Sequence, residues 1–138
     1  MSRVKLDPDL LGLSSVMERL AGVQVKDCFR EQETVYMIVS PGELGKAIGK
    51  GGSTVRKVEE QLGKRLRIVE YRDDVIEFVR NLVYPLQVQS ITIEEKAVLL
   101  QDSNKKTKGL LIGREGKGLH ILNRAVKRFF PELEVKVQ

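Results

Sequence analysis

Two short stretches of this chain place glycines and a cation between an isoleucine and the start of a helical pattern. The first is Ile48-Gly49-Lys50-Gly51-Gly52-Ser53-Thr54, the second Ile112-Gly113-Arg114-Glu115-Gly116-Lys117. These residue types at this spacing suit the holding of phosphate. Glycine removes the side chain that would keep an anion off the backbone. A helix starting just after the loop offers free N–H groups and the positive end of its dipole. Lys46, Lys50 and Arg56 add charge around the first loop, as do Arg114 and Lys117 at the second. Ser53 and Thr54 are expected to cap the helix that follows the first loop.

The pattern says whose phosphate it is. A P-loop needs Gly-x-x-x-x-Gly-Lys followed by Ser or Thr. Leu44 stands where the first glycine should be for Gly49-Lys50, and Gly51 follows the lysine; Leu111 and Gly118 break the pattern at Gly116-Lys117. A dinucleotide fingerprint needs Gly-x-Gly-x-x-Gly directly after a strand, whereas Gly49-x-Gly51 runs on to Thr54 and follows a short helix. No nucleotide or other cofactor is expected. A loop joining two helices, glycine at each end and basic in the middle, suits an extended polynucleotide backbone.

Other chemistries find little support. The chain has one cysteine, Cys28, so it has no internal disulfide, which fits a reducing compartment. Cys28 lies in an apolar stretch and reads as a small buried hydrophobe. The single histidine, His120, has no partners at metal-ligand spacing. Asp73-Asp74 and Glu94-Glu95 are adjacent in sequence, where side chains diverge, so no catalytic residues and no metal site are expected. Of 138 residues, 41% are hydrophobic and 31% charged, the profile of a globular protein. The net charge of +5 arises from 24 basic against 19 acidic residues, so placement of the cations matters more than their number. With no apolar run long enough to span a bilayer and no secretory leader pattern, a cytoplasmic protein with no membrane partner and no small-molecule substrate is expected.

The elements that must position the loops read twice. Apolar spacing at Leu10, Leu11, Leu13, Val16, Met17 and Leu20 predicts a helix over 7–22, with Asp7 as N-cap and Gly22 closing it. Strands follow at 23–30, where Val23, Val25 and Phe29 alternate with polar residues, and at 34–39. Then come a short helix at 43–48, the first glycine loop, a helix at 53–62 and a strand at 66–69. The second half repeats this order: helix 74–83, strands 88–93 and 97–100, short helix 107–112, loop 113–116, helix 117–129 and strand 133–137. Ile-Gly-x-x-Gly falls at the same place in each copy, the mark of an internal duplication. The boundary is expected near residue 72, giving domains 1–72 and 73–138 with a short joint at 70–73.

Several segments carry a family resemblance. Leu44-Gly45-Lys46-Ala47-Ile48-Gly49-Lys50-Gly51-Gly52, the junction Val69-Glu70-Tyr71-Arg72-Asp73-Asp74 with Glu77-Phe78-Val79-Arg80-Asn81-Leu82, then Pro85 and Ile93-Glu94-Glu95-Lys96 resemble archaeal NusA-like transcription termination/antitermination proteins. The resemblance covers nearly all of the chain beyond its first residues. It implies an α+β fold of two tandem type II KH domains, each a three-stranded mixed sheet packed against three helices. It further implies single-stranded RNA as partner, with a role at elongating RNA polymerase. Bacterial relatives begin with a polymerase-contacting domain and an S1 domain, neither of which is expected within these 138 residues. An RNA-binding protein of the ribosome or of RNA processing is the alternative.

A KH domain clamps about four nucleotides beside its Gly-x-x-Gly loop. The expected contacts are Lys46, Ile48, Gly49, Lys50, Gly51, Gly52, Ser53, Thr54 and Arg56 in the first copy. In the second they are Ile112, Gly113, Arg114, Glu115, Gly116 and Lys117. Ile48, Val55 and Ile68 are expected to floor the first groove, and Ile112, Leu119 and Val135 the second. Lys57 extends the first basic cluster; Lys105, Lys106 and Lys108 extend the second. Only 5% of residues are aromatic, so base stacking is not expected to dominate. Glu115 repels phosphate, so the first loop is expected to bind more strongly.

Overall fold

The computed structural model describes residues 8–138, with side chains described from residue 12 onward. The chain divides into two units, one ending at Tyr71 and the other running from Arg72 to Gln138. Arg72 Nε donates to Glu77 Oε1 at 3.1 Å within the second unit.

The first unit runs α1 (Pro8–Ala21), β1 (Val25–Glu31), β2 (Thr34–Val39), α2 (Leu44–Ile48), a 3-10 turn (Lys50–Gly52), α3 (Ser53–Leu62) and β3 (Arg65–Glu70). The expected N-cap Asp7 and the side chains of Leu10 and Leu11 lie outside the described residues. The sheet order is β1-β2-β3. β1 and β2 form an antiparallel hairpin, whereas β2 and β3 run parallel, with Thr34 opposite Arg65 and Val39 opposite Glu70. Parallel strands require a crossover, and α2, the turn and α3 are that crossover.

Val35, Met37 and Val39 alternate along β2 and point to one face. There they pack with Leu13 and Met17 of α1, Ala47 of α2, Val58 of α3 and Leu66 of β3. Simple alternation in β1 would set Val25 and Phe29 on one side. A bulge between Val25 and Asp27 instead shifts the pairing, so Val25 faces Val39 and Cys28 faces Met37. An extra residue in one strand reverses the faces beyond it. Cys28 therefore joins the core, and Phe29 turns to the opposite face, its ring stacked on Tyr36 at 5.2 Å. Leu20, expected on the apolar stripe of α1, is 48% exposed.

The second unit repeats the order: α4 (Val75–Val83), β4 (Ser90–Glu94), β5 (Ala97–Gln101), α5 (Lys105–Ile112), a 3-10 turn (Arg114–Gly116), α6 (Lys117–Phe129) and β6 (Glu134–Val137). Its sheet is β4-β5-β6, again antiparallel and then parallel. Two expected boundaries move. Val88 and Gln89 precede β4, because the ladder with β5 starts only at Ser90 opposite Gln101. Helix α5 begins at Lys105, earlier than the expected 107, because Asn104 caps it, accepting from the N–H groups of Lys106 at 2.8 Å and Thr107 at 3.2 Å. Asp74 caps α4 in the same way through Ile76 and Glu77. Phe78 of α4 meets Phe129 of α6 edge-on at 5.7 Å.

Equivalent joints use different side chains. Glu43 Oε1 accepts from Gln24 N at 2.7 Å, tying the approach to α2 to the start of β1. Buried Asp102 plays this part before α5, accepting from Gln89 N at 3.1 Å and Asn104 N at 2.8 Å. The outer edge of the last strand is also bonded from the helix. Glu59 Oε2 accepts from Leu66 N at 2.8 Å. In the second unit the Asn123 amide accepts from Val135 N at 2.8 Å and donates to Val135 O at 3.1 Å.

The loops share one backbone path. Gly49 sits at φ 80°, ψ 166° and Gly113 at φ 78°, ψ 171°, a region essentially restricted to glycine. A Cβ on Gly49 would collide with the Thr54 hydroxyl and lie 2.8 Å from Thr54 N. Gly52 and Gly116 are left-handed residues that open α3 and α6. No hydroxyl caps α3: Gly52 holds the N-cap place, and Ser53 is already helical. Gly51 and Glu115 share a third positive φ, at 61° and 58°, and a side chain on Gly51 would meet open space.

Two stability predictions follow from this geometry. Gly51→Ala is expected to cost about 1–2 kcal/mol for its left-handed backbone, and Gly49→Ala more than about 3 kcal/mol because strain and collision add. Equal costs in urea unfolding would refute the distinction. Asn123→Ala is expected to remove about 1–3 kcal/mol by leaving both Val135 backbone groups without their side-chain partner. Unchanged denaturation of the full chain would show that water satisfies them equally well.

Candidate nucleic-acid interface

β3 is the outer strand of the first sheet, and a groove of about 570 Å³ runs along it. One wall is the crossover: Ile48 at the end of α2, Gly52 in the loop, and Val55 and Arg56 on α3 with Glu59 about one turn further on. The opposite side is Thr34, Tyr36, Arg65, Leu66, Arg67 and Ile68. The crossover builds this shape because α3 packs Val58 into the core, which turns Val55 and Glu59 along the rim beside β3.

The expected floor residues Ile48, Val55 and Ile68 meet in this groove. Ile48 is 37% exposed, and its counterpart Ile112 has the same value. Each copy thus leaves an isoleucine open to solvent immediately before its glycine loop. Arg56 Nη1 donates to Gly51 O at 2.8 Å, which holds its guanidinium against the loop. Lys50 is exposed at the loop tip. Lys46 stands apart from the groove lining on α2, its ammonium 3.6 Å from Glu43 Oε2. Ser53 and Thr54 lie in the first turn of α3, and Thr54 is the residue against which Gly49 packs.

In the second unit, Arg114, Glu115 and Lys117 are exposed on their loop, and Leu119 is partly exposed on α6. Val135 is a correction. It was expected to floor the second groove, but it is 1% exposed and belongs to the core. The parallel register explains this: Thr34 opposite Arg65 corresponds to Ala97 opposite Glu134, so Val135 matches buried Leu66, and Val137 matches Ile68. The longer α6 displaces the strand relative to a simple count from the loop.

Tyr36, Glu59, Arg65 and Arg67 were missed as groove residues. Their signal lies in strand parity, because Tyr36 alternates with core residues of β2 and Arg65 and Arg67 with Leu66 and Ile68. Parity alone does not say that β3 is an edge. Burial pushes the Tyr36 hydroxyl above its ordinary pKa, with the Arg67 charge opposing and Glu31 adding, so Tyr36 enters the groove as a neutral phenol. Among the described residues, no group of three or more His, Cys, Asp or Glu side chains could hold a metal ion, and no helix is long and apolar enough to cross a membrane.

Comparison with known proteins agrees with this geometry. A family model described as KH domain matches residues 14–96. The chain is 33% identical to the probable transcription termination protein NusA of Methanocaldococcus jannaschii, covering 99% of this chain and 76% of that one. It is 35% identical to the protein of the same name from Halococcus morrhuae, covering 93% and 94%. The crystal structure of APE1850 superposes with a TM-score of 0.78 at 29% identity, covering 96% of this chain and all of the other. With a KH match over more than half its length and relatives of one name over nearly all of it, the chain belongs to the KH-domain family and, within it, to the archaeal NusA-like proteins.

Proposed function

We propose that this protein binds single-stranded RNA through two tandem type II KH domains, 1–72 and 73–138, and acts on transcription elongation, termination or antitermination by clamping nascent RNA. RNA polymerase is then a partner and the cytoplasm the place of action. The relatives' shared name supports the transcriptional role. The repeated element order and sheet order support reading the second unit as another KH domain.

One observation carries the RNA reading. The isoleucine floor, the glycine turn and the Arg56 guanidinium converge on one groove beside the edge strand. Phosphates run past Lys50 and Arg56, where Gly49 and Gly52 let the backbone approach. Bases turn onto Ile48, Val55 and Ile68. Such a groove takes splayed single-stranded bases, whereas the bases of an A-form duplex remain stacked inside it. The second loop has the same backbone, but Glu115 stands where the first has Gly51, so one carboxylate offsets part of the attraction of Arg114.

The test is RNA titration at near-physiological salt with matched double substitutions. Lys50→Asp/Gly51→Asp is expected to weaken single-stranded RNA binding more than tenfold, about 1.4 kcal/mol. Position 51 has a backbone that aspartate tolerates and open space for its side chain, so the fold should survive. Arg114→Asp/Glu115→Asp is expected to cost less, because it removes one cation and no new carboxylate is gained at 115. Undiminished binding by the first variant would dismiss that loop as the RNA site; a larger loss in the second would reverse the ranking. Co-purification with ribosomes in place of RNA polymerase would move the function to the ribosome or RNA processing.

A further inference from the structure

Glu59 is out of place in a groove built to attract phosphate. It lines the same surface as Arg56, Arg65 and Arg67, yet among the described residues its carboxylate has no ion-pair partner. Its one side-chain bond is the acceptance at Oε2 from Leu66 N, 2.8 Å away. That bond holds the headgroup against the edge strand. A carboxylate has about four lone-pair sites, so acceptor capacity remains at the groove.

The second unit shows that holding the strand does not need a charge. Asn123 occupies the matching place and does it with a neutral amide: its oxygen accepts from Val135 N, and its nitrogen donates to Val135 O and to Leu119 O at 3.2 Å. Both ends of that side chain are committed to backbone. The Glu59 charge lowers attraction for any RNA phosphate; it strengthens the bond from Leu66 N, but the second unit shows that a neutral amide is enough to hold the strand. What it adds beyond that is a strong acceptor, fixed in direction, one turn along α3 from Val55. Carboxylates serve in nucleic-acid readout by accepting from base N–H groups, such as the N4 amino group of cytosine.

We propose that Glu59 is the base-reading residue of the first groove. Its carboxylate accepts a hydrogen bond from the amino group of the base seated on Ile48, Val55 and Ile68, and so selects amino-bearing bases over uracil. Uracil's one ring donor, N3–H, lies between two carbonyl oxygens whose lone pairs repel a carboxylate. The second groove, with Asn123 committed to its strand, lacks this selection. The inference rests on the RNA-binding reading above and deepens it.

The experiment uses fluorescence anisotropy with the full chain and labelled oligoribonucleotides about four nucleotides long, the span of one KH groove. Three probes of equal length are compared: oligocytidine, oligouridine, and an oligomer of the 2-pyrimidinone riboside, which is cytidine without its 4-amino group. Wild type is expected to bind oligocytidine about tenfold more tightly than either of the others, a difference of about 1.4 kcal/mol. Glu59→Gln keeps an oxygen for Leu66 N and is expected to bring the cytidine-to-uridine ratio below about threefold without lowering affinity for oligouridine, as loss of one anion near phosphate requires. Equal or reversed preference in wild type overturns the proposal without any variant being needed, as does a ratio that Glu59→Gln leaves unchanged. Failure of wild type to bind any of the three overturns the RNA-binding reading itself, whereas tight binding with no base preference removes only the role of Glu59.

Discussion

The parallel pairing of β2 with β3 is the constraint from which the site follows. Two strands running the same way cannot be joined by a hairpin, so the chain must leave the sheet, cross it and return. The crossover must bury Ala47 and Val58 on the sheet face, which leaves little room for the turn between its helices. Gly49 meets that demand by adopting a backbone that other residues avoid and by packing its bare Cα against Thr54. The groove is the gap left between this crossover and the outer strand, so its floor, rim and loop are set by one packing problem.

The second unit solves the same problem with other residues. Asp102 replaces Glu43 as the acceptor that ties the helix approach to the first strand, and Asn123 replaces Glu59 as the side chain on the last strand. Glu115 takes the left-handed place of Gly51. Backbone geometry is shared while the charges differ: a neutral amide stands against a carboxylate at the groove rim, and a carboxylate against a hydrogen atom at the loop. On the proposed RNA-binding reading, the shared main-chain geometry would present both loops to phosphate alike, while the differing side chains would set their affinities and base contacts apart.

If the groove binds RNA as proposed, its strength comes from sharing the work between weak terms. Aliphatic floor residues contribute contact without directional preference. Cations on the loop and rim contribute attraction that salt screens. Tyr36 brings an aromatic face, although its stacking on Phe29 leaves that ring partly engaged within the protein. On that reading, selectivity would come from a small number of fixed polar groups at the groove, since neither aliphatic contact nor phosphate attraction tells one base from another.

Much of this was legible in the amino-acid sequence. Helical and strand periods gave the element order, and the spans 34–39, 53–62 and 117–129 coincide with β2, α3 and α6, because strong local patterns with glycine or turn residues at their ends leave few alternatives. The doubled Ile-Gly-x-x-Gly marked both loops, because close approach and positive φ leave glycine little competition. Tertiary structure alone decided which residues share the groove. The bulge in β1 sent Cys28 into the core under the helices and Phe29 to the opposite face of the sheet, where it is also buried, and bulges arise from pairing that no single strand records. Strand register put Val135 in the core, because register depends on how far α6 runs before the chain returns. The place of β3 at the sheet edge brought Tyr36, Glu59, Arg65 and Arg67 beside the loop. Local sequence determines what each segment becomes; only the pairing of distant segments decides which side chains meet.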